Sequence, residues 1–320
     1  MIIDLPATTT AAINRSLVDL RESGGTVALG RVLTLVIATD DSSAEESIAA
    51  ANAASFEHPC RVLVVRSACD SAESRMDAQI RVGGDAGASE AIVLHLHGEL
   101  SEHGASVVVP LLLPDAPVVV WWPDRAPAIP GEDPIGALAQ RRITDIGHVP
   151  DPTAALATRL AGYRPGDTDL TWTRLTLWRG LLAAALDQPP TEDVLSVDVS
   201  GSPNSASTDL LAGWLALKLN CPVTRHKVGD AGSGLHSVVL SRASGPVTLS
   251  RPEESTATLT APGQPERRVA LPRRSLRDCI AEELRRLDAD EVYEDVLRLG
   301  LPRVHQPSST SRAPNEVVSQ

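Results

Sequence analysis

The run HLHGE, residues 95–99, spaces His95, His97 and Glu99 two apart, so an extended chain brings all three to one side at a metal-ligand spacing. Imidazole plus carboxylate would suit zinc or a similar divalent cation, but no second cluster completes the set and His103 falls out of line. The plainer reading is a row of partly exposed structural histidines. SGSPNSAST, residues 200–208, joins a strand to a helix, where free backbone amides can cradle a phosphate. It lacks the lysine of a P-loop and the GxGxxG of a dinucleotide fold, which leaves a sugar phosphate or nucleotide as its ligand, or an ordinary serine-capped helix with none. The glycines of GDAGSG, 229–234, sit between two strands and read as a hairpin loop. Asp167 and Asp169 suggest an acid/base pair, yet no nucleophile or acid stands beside them. GxSxG, HExxH and DFG are all missing, so no catalytic, cofactor-binding or metal residue is assigned.

The segment GDTDLTWTRLTLWRGLLAAAL, residues 166–186, holds two of the five tryptophans and two arginines. Wound as one helix, Trp172, Leu175, Arg179, Leu182 and Leu186 form a stripe beside a second made of Arg174, Trp178, Leu181 and Ala185. A helix apolar nearly all round lies in a core or between two bodies. Asp167 and Asp169 stand where caps belong, whereas Arg174 suits a helix start poorly and calls for a carboxylate partner. Two readings stay open: a core helix whose arginines pair internally, and a domain-bridging recognition helix, since Trp and Arg are enriched at binding hot spots.

A length of 320 residues points to two domains, and with 2% aromatic residues Ala, Val and Leu must do the packing. The net charge of −12 speaks against nucleic acid or an anionic membrane as partner. The opening MIIDLPATTTAAINRSLVDL lacks the pattern of a secretory signal, and prolines break the longest apolar stretch, Val107 to Trp122; a soluble cytoplasmic protein is expected. Cys60, Cys69, Cys221 and Cys279 form no CxxC pair and read as free buried thiols.

Stepping along the chain, a helix is expected over Thr10–Glu22, ended by Gly24 and Gly25, then a strand Val32–Ala38, a helix opened by Asp41 or Ser42 and running to Ser55, and a strand Arg61–Arg66. Ala78–Val82 and Ala91–Leu96 form a hairpin; a short helix ending at Leu113, the strand Val118–Trp122, a strand near Ile143 and a helix Pro152–Ala161 follow. The expected domains are 1–165, a bridging helix and Pro linker over 166–190, and 191–302, with a disordered tail over 303–320. The second domain reads as strand Val194–Val199, helix Ser207–Leu219, strand Val223–Val228, three short strands between Ser237 and Thr260, and closing helices Ser275–Leu287 and Asp290–Leu299. The fold class is α/β: two domains with mixed sheets flanked by helices, joined by the long Trp/Arg-rich helix.

Four stretches together resemble the OpcA family, the glucose-6-phosphate dehydrogenase assembly proteins, most closely its actinobacterial branch. They are TTTAAINRSLVDLRESGGTVALGRVLTLVI near the start, EHPCRVLVV at 57–65, LLLPDAPVVVWWP at 111–123 and the Trp/Arg segment. The resemblance implies a non-catalytic, cofactor-free protein that binds glucose-6-phosphate dehydrogenase and promotes its assembly and allosteric activation in the oxidative pentose phosphate pathway. It carries Trp121, Trp122, Asp169, Trp172, Arg174, Trp178 and Arg179 forward as partner-binding candidates. Thioredoxin control in cyanobacterial members cannot be matched to any cysteine here.

Overall fold

The computed structural model describes residues 1–23, 30–40, 43–68, 73–82, 90–229, 234–252 and 255–307. The chain divides into two compact units, Met1–Arg174 with Arg274–Glu294, and Leu175–Arg273 with Asp295 onward.

The first unit begins with β1 (Ile2–Leu5), α1 (Thr10–Ser23), β2 (Leu33–Thr39), α2 (Ala44–Ala54), β3 (Cys60–Ala68), β4 (Arg75–Val82) and β5 (Glu90–His97). After a 3-10 turn, Gly98–His103, come α3 (Gly104–Val108), β6 (Val118–Trp122), β7 (Arg141–Thr144), α4 (Pro152–Gly162), β8 (Asp167–Asp169) and α5 (Leu170–Thr173). Its eight strands run in the order β1-β4-β5-β3-β2-β6-β7-β8. The six from β5 to β8 are parallel, while β4 and β1 are antiparallel additions at one edge.

Burial on both faces explains why these strands read as continuous apolar runs. Leu35, Ile37, Val62, Val64, Val119 and Trp121 point to one face, where α2 packs through Ile48 and Ala51. Val36, Leu63, Val65, Val120 and Trp122 point to the other, against Ile13 and Leu17 of α1 and Val107 and Val108 of α3. The first face also receives Cys279, Ile280, Ala281 and Leu284 from α8 (Leu276–Arg285). That helix was expected to close the second domain, but it covers the sheet of the first unit. Its strong amphipathicity requires a partner surface and does not specify which one.

The second unit holds α6 (Thr176–Leu186), β9 (Ser196–Gly201), α7 (Ala206–Leu219), β10 (Val223–Lys227), β11 (Leu235–Ser241), β12 (Val247–Ser250), β13 (Thr256–Thr260) and β14 (Arg267–Ala270). α9 (Glu291–Asp295) ends in it, followed by a π-helical turn, Val296–Gly300, a 3-10 turn, Leu301–Arg303, and β15 (Val304–His305). The sheet order is β14-β13-β12-β11-β9-β10-β15, with β9, β10 and β15 parallel and the rest antiparallel. Both units are therefore α/β with mixed sheets.

Several local expectations change. The second closing helix is a short α-turn that widens into the π-helix at Val296. Residues 303–305 are not tail: Val304 pairs with Val223 and extends the sheet. β1 and β14 are additional strands. The expected caps Asp41 and Ser42, the stop at Gly24 and Gly25, the hairpin loop 83–89, Cys69 and the tail from residue 308 lie outside the described residues.

The expected single helix through the Trp/Arg segment is instead a strand, a helical turn and an 11-residue helix. Asp167–Asp169 extends the sheet by pairing with β7. Asp169 then caps α5, its carboxylate accepting from the Thr171 amide, so no helix starts earlier. Two side-chain contacts, one local and one from a distant residue, fall at the interruption at Arg174 and Leu175. Thr173 Oγ1 bonds back to the Asp169 carbonyl at 3.4 Å, and Arg274 Nη1 donates to the Thr173 carbonyl at 2.9 Å.

Candidate functional site

Four sequence-selected residues of the Trp/Arg segment, Asp167, Asp169, Trp172 and Arg174, gather where β7 and β8 end. β7 supplies Arg141, Arg142 and Thr144, and the turn after it Asp145; β8 supplies Asp167 and Asp169; α5 supplies Trp172 and Thr173, with Arg174 just beyond. Arg174 provides the fork that its sequence position demanded, giving Nη1 and Nη2 to the two oxygens of Asp145, each at 2.7 Å. Burial pushes the Asp145 carboxyl up, but the bonds from Arg174 and from His148 outweigh it and hold Asp145 at about 2.

Asp169 lies in this cluster with 0% exposure. It accepts from Thr144 Oγ1 at 2.5 Å, the Ile146 amide at 3.1 Å and the Thr171 amide at 2.8 Å. Burial and the nearby Asp145 charge push its carboxyl up. Such a group cannot meet a substrate from solvent, and Asp167 is tied to Arg142 at 2.5 Å. The two aspartates serve as cap and counter-ion rather than as an acid/base pair.

Two further pairs close the cluster. Arg141 reaches Glu283 of α8 at 2.5 Å, and Thr173 Oγ1 donates to the same carboxylate. Trp172, 1% exposed, donates its indole N–H to Asp290 at 2.8 Å and lies 5.8 Å from the Tyr293 ring, which meets Tyr163 edge-on at 6.2 Å. Asp145, Glu283 and Asp290 escaped the sequence reading. The one signal was the unpaired Arg174, which asked for a carboxylate without naming it.

The remaining candidates stand apart. Trp121 and Trp122, 0% and 4% exposed, pack on opposite faces of the first unit's sheet. Trp178, 3% exposed, lies on α6 of the second unit under the Arg251 guanidinium, 5.4 Å from the ring. On the same helix Arg179 is partly exposed and bonds Thr176 Oγ1 at 3.1 Å. Of the seven candidates, Arg174 and Arg179 retain substantial contact with solvent.

His95 and His97 share one side of β5 as the spacing requires, but they face cations and an acid of their own sheet. His97 sits 3.3 Å from Asp77, and His95 lies 3.4 Å from Arg66. Glu99 belongs to the 3-10 turn that follows, and no metal-ligand group forms among the described residues. In the 200–208 loop the hydroxyls of Ser202, Ser205 and Thr208 are occupied internally. Ser205 caps the Thr208 amide, Ser202 Oγ accepts from the Gly234 amide, and buried Arg225 holds the carbonyls of Gly201 and Ser202. The loop is a serine-capped helix start. Burial pushes the thiols of Cys60 and Cys279 up, to about 12 and about 11, away from reactive thiolate.

Comparison with known proteins adds identity to this geometry. The model described as glucose-6-phosphate dehydrogenase subunit N-terminal domain matches residues 51–161, and that described as the subunit's C-terminal domain matches residues 165–297. A search among curated proteins returns no match. Among solved structures, the chain is similar to a 3-ketoreductase from Actinomadura kijaniata in complex with TDP-benzene and NADP, at 11% identity, TM-score 0.46, covering 86% of this chain and 98% of that one. A Gfo/Idh/MocA family oxidoreductase from Vibrio cholerae follows at 11% identity, TM-score 0.34, with 83% and 94% covered. Likeness at that level carries no functional argument. The two matched domains lie end to end over most of the chain, and on that ground the protein belongs to the OpcA family of glucose-6-phosphate dehydrogenase assembly proteins.

Proposed function

We propose that this protein is a non-catalytic partner of glucose-6-phosphate dehydrogenase that promotes its assembly and shifts it toward its active, substrate-responsive state. The observation that carries this reading is the pair of subunit-domain matches, 51–161 and 165–297, which takes in residues of both units. The geometry supports it in one respect: the strongest acid and base groups around β8 are spent on each other, as expected of a rigid binding body. A binding protein activates an enzyme by holding the active conformer more tightly, and a tenfold preference requires about 1.4 kcal/mol. Among the described residues no helix is long and apolar enough to cross a membrane.

We assign the seven candidates different parts in this role. Arg179, which reaches solvent outside these pairs, contacts the dehydrogenase; Trp121, Trp122, Asp169, Trp172, Arg174 and Trp178 hold the elements that position it. Titrating the dehydrogenase with glucose 6-phosphate in the presence and absence of this protein, and sizing the mixture, tests the reading. A larger complex and a rate curve displaced to lower substrate are expected, and Arg179→Ala weakens the complex without lowering this protein's melting temperature. An unchanged curve and no complex would sink the proposal.

A further inference from the structure

The parallel sheet of the first unit reverses its direction of winding between β2 and β6. From β2 the chain proceeds to β3 and on to β5, then crosses back to place β6 on the other side of β2. In open α/β sheets such a switch point leaves a crevice beyond the carboxyl ends of the strands, and ligands bind there. Here the crevice has a volume of about 380 Å³ and is lined by Thr39, Glu102, Trp122, Asp124, Arg125 and Ile135, among others. That volume lies at the small end of ligand pockets, in the range of a single sugar ring.

The chemistry of the lining narrows the ligand. Where a nucleotide-binding sheet offers glycines and free amides, this chain has Asp40 after β2 and Glu45 and Glu46 in the first turn of α2, which already complement the helix dipole. With Glu102, Asp124 and Asp133 in the lining against the single Arg125, a phosphate would face mainly repulsion. Asp133 is occupied by the amides of Ile135 and Gly136. Asp124 accepts through Oδ2 from Thr39 and Ser43, which fixes the loop and leaves Oδ1 facing no donor among the described residues. Glu102 and Arg125 line the same crevice, and neither takes a hydrogen bond or ion pair from the described residues. A carboxylate and a guanidinium, both solvent-exposed and lining one crevice without pairing to each other, are matched together by hydroxyl groups, which donate to carboxylate and accept from guanidinium. A cation would satisfy Glu102 and repel Arg125; an anion would do the reverse. Trp122 and Ile135 add an apolar wall for the C–H face of a ring.

We propose that this crevice binds a neutral cyclic polyol of monosaccharide size, held by Glu102, Asp124 and Arg125 against Trp122. The inference concerns the first unit and stands apart from the assembly reading. Calorimetry on the full chain with D-glucose, D-ribose and myo-inositol, beside glucose 6-phosphate and glucosamine as anionic and cationic counterparts, tests it. At least one neutral probe is expected to bind more than tenfold tighter than either charged probe. Glu102→Gln and Arg125→Gln each weaken that binding at least tenfold at unchanged melting temperature, and Ala105→Trp, which fills the crevice, abolishes it. Silence from all three neutral probes up to about 10 mM, tighter binding of a charged probe, or variants that bind like the parent overturns the proposal.

Discussion

Arg174 shows how one side chain can be legible in kind and hidden in detail. Read as part of one long helix, a cation near the start opposes the dipole and implied a carboxylate; Arg174 in fact follows α5 as its C-cap, and Asp145 still supplies the carboxylate through a two-point contact. Removing a single partner of such a pair leaves a buried charge uncompensated, at a cost of about 3–5 kcal/mol. Arg174→Met is therefore expected to lower the chemical-denaturation midpoint sharply, and Arg174→Lys to recover little, because an ammonium cannot reproduce the fork. The pH dependence follows from signs. Asp145 is held at about 2 in the folded chain against about 3.9 unfolded. Its stabilisation is complete above the unfolded value and is lost as the pH falls through the folded one, about 2.6 kcal/mol in all. Asp169, raised, acts oppositely: its folded form takes up a proton first, so falling pH favours folding through that group. Between pH 4 and pH 2, Asp145→Asn should lose less stability than the parent; parallel unfolding curves would refute the assignment.

At the scale of elements, the most readable pieces were those whose cause is local. Val118–Trp122 shows as five apolar residues between Pro117 and Pro123, and the strand occupies those five residues. Ser205 before α7 signals a cap, and its hydroxyl accepts from Thr208. What escaped depends on partners distant in sequence. Asp167–Asp169 has a polar strand's composition and is ordered by pairing with β7, so it read as a helix start. Glu283 looks like part of the wet face of an amphipathic helix until Arg141 and Thr173 are seen around it. Gly213 is another such case. In the middle of α7 it is costly by about 1 kcal/mol relative to alanine, and the reason lies in the close approach of residues 300 and 301: a Cβ on Gly213 would stand 3.1 Å from the Leu301 nitrogen, and one on Gly300 would stand 2.4 Å from the Gly213 carbonyl oxygen. Gly300→Ala should thus destabilise the second unit by about 1–3 kcal/mol. Gly180→Ala in α6, whose Cβ would meet nothing within 4 Å, should stabilise it by about 0.5–1 kcal/mol. Thermal melts of the two variants should move in opposite directions, and two shifts of the same sign would refute the packing account.

For the molecule as a whole, the decisive fact is that the first unit is discontinuous. Met1–Arg174 supplies its sheet, and Arg274–Glu294 returns to supply α8, Asp290 and Tyr293. A fragment ending at Arg174 keeps every strand of that sheet but lacks the apolar residues Cys279, Ile280, Ala281 and Leu284, and leaves Arg141 without Glu283. It should behave as an expanded, dye-binding species with weak near-ultraviolet circular dichroism. The same fragment joined through a short linker to residues 274–294 should recover a cooperative melt. A native-like spectrum from the shorter piece alone would contradict this division. The arrangement also sets a timetable for synthesis. About 100 residues separate Thr173 from Leu276, and at roughly 5–20 residues per second a ribosome needs about 5–20 s to cross that interval. Throughout it the finished sheet waits with the part of one apolar face that α2 does not cover left open, while every strand of the second unit up to β14 is being made. A nascent-chain chaperone would therefore find its substrate in the half of the protein translated first.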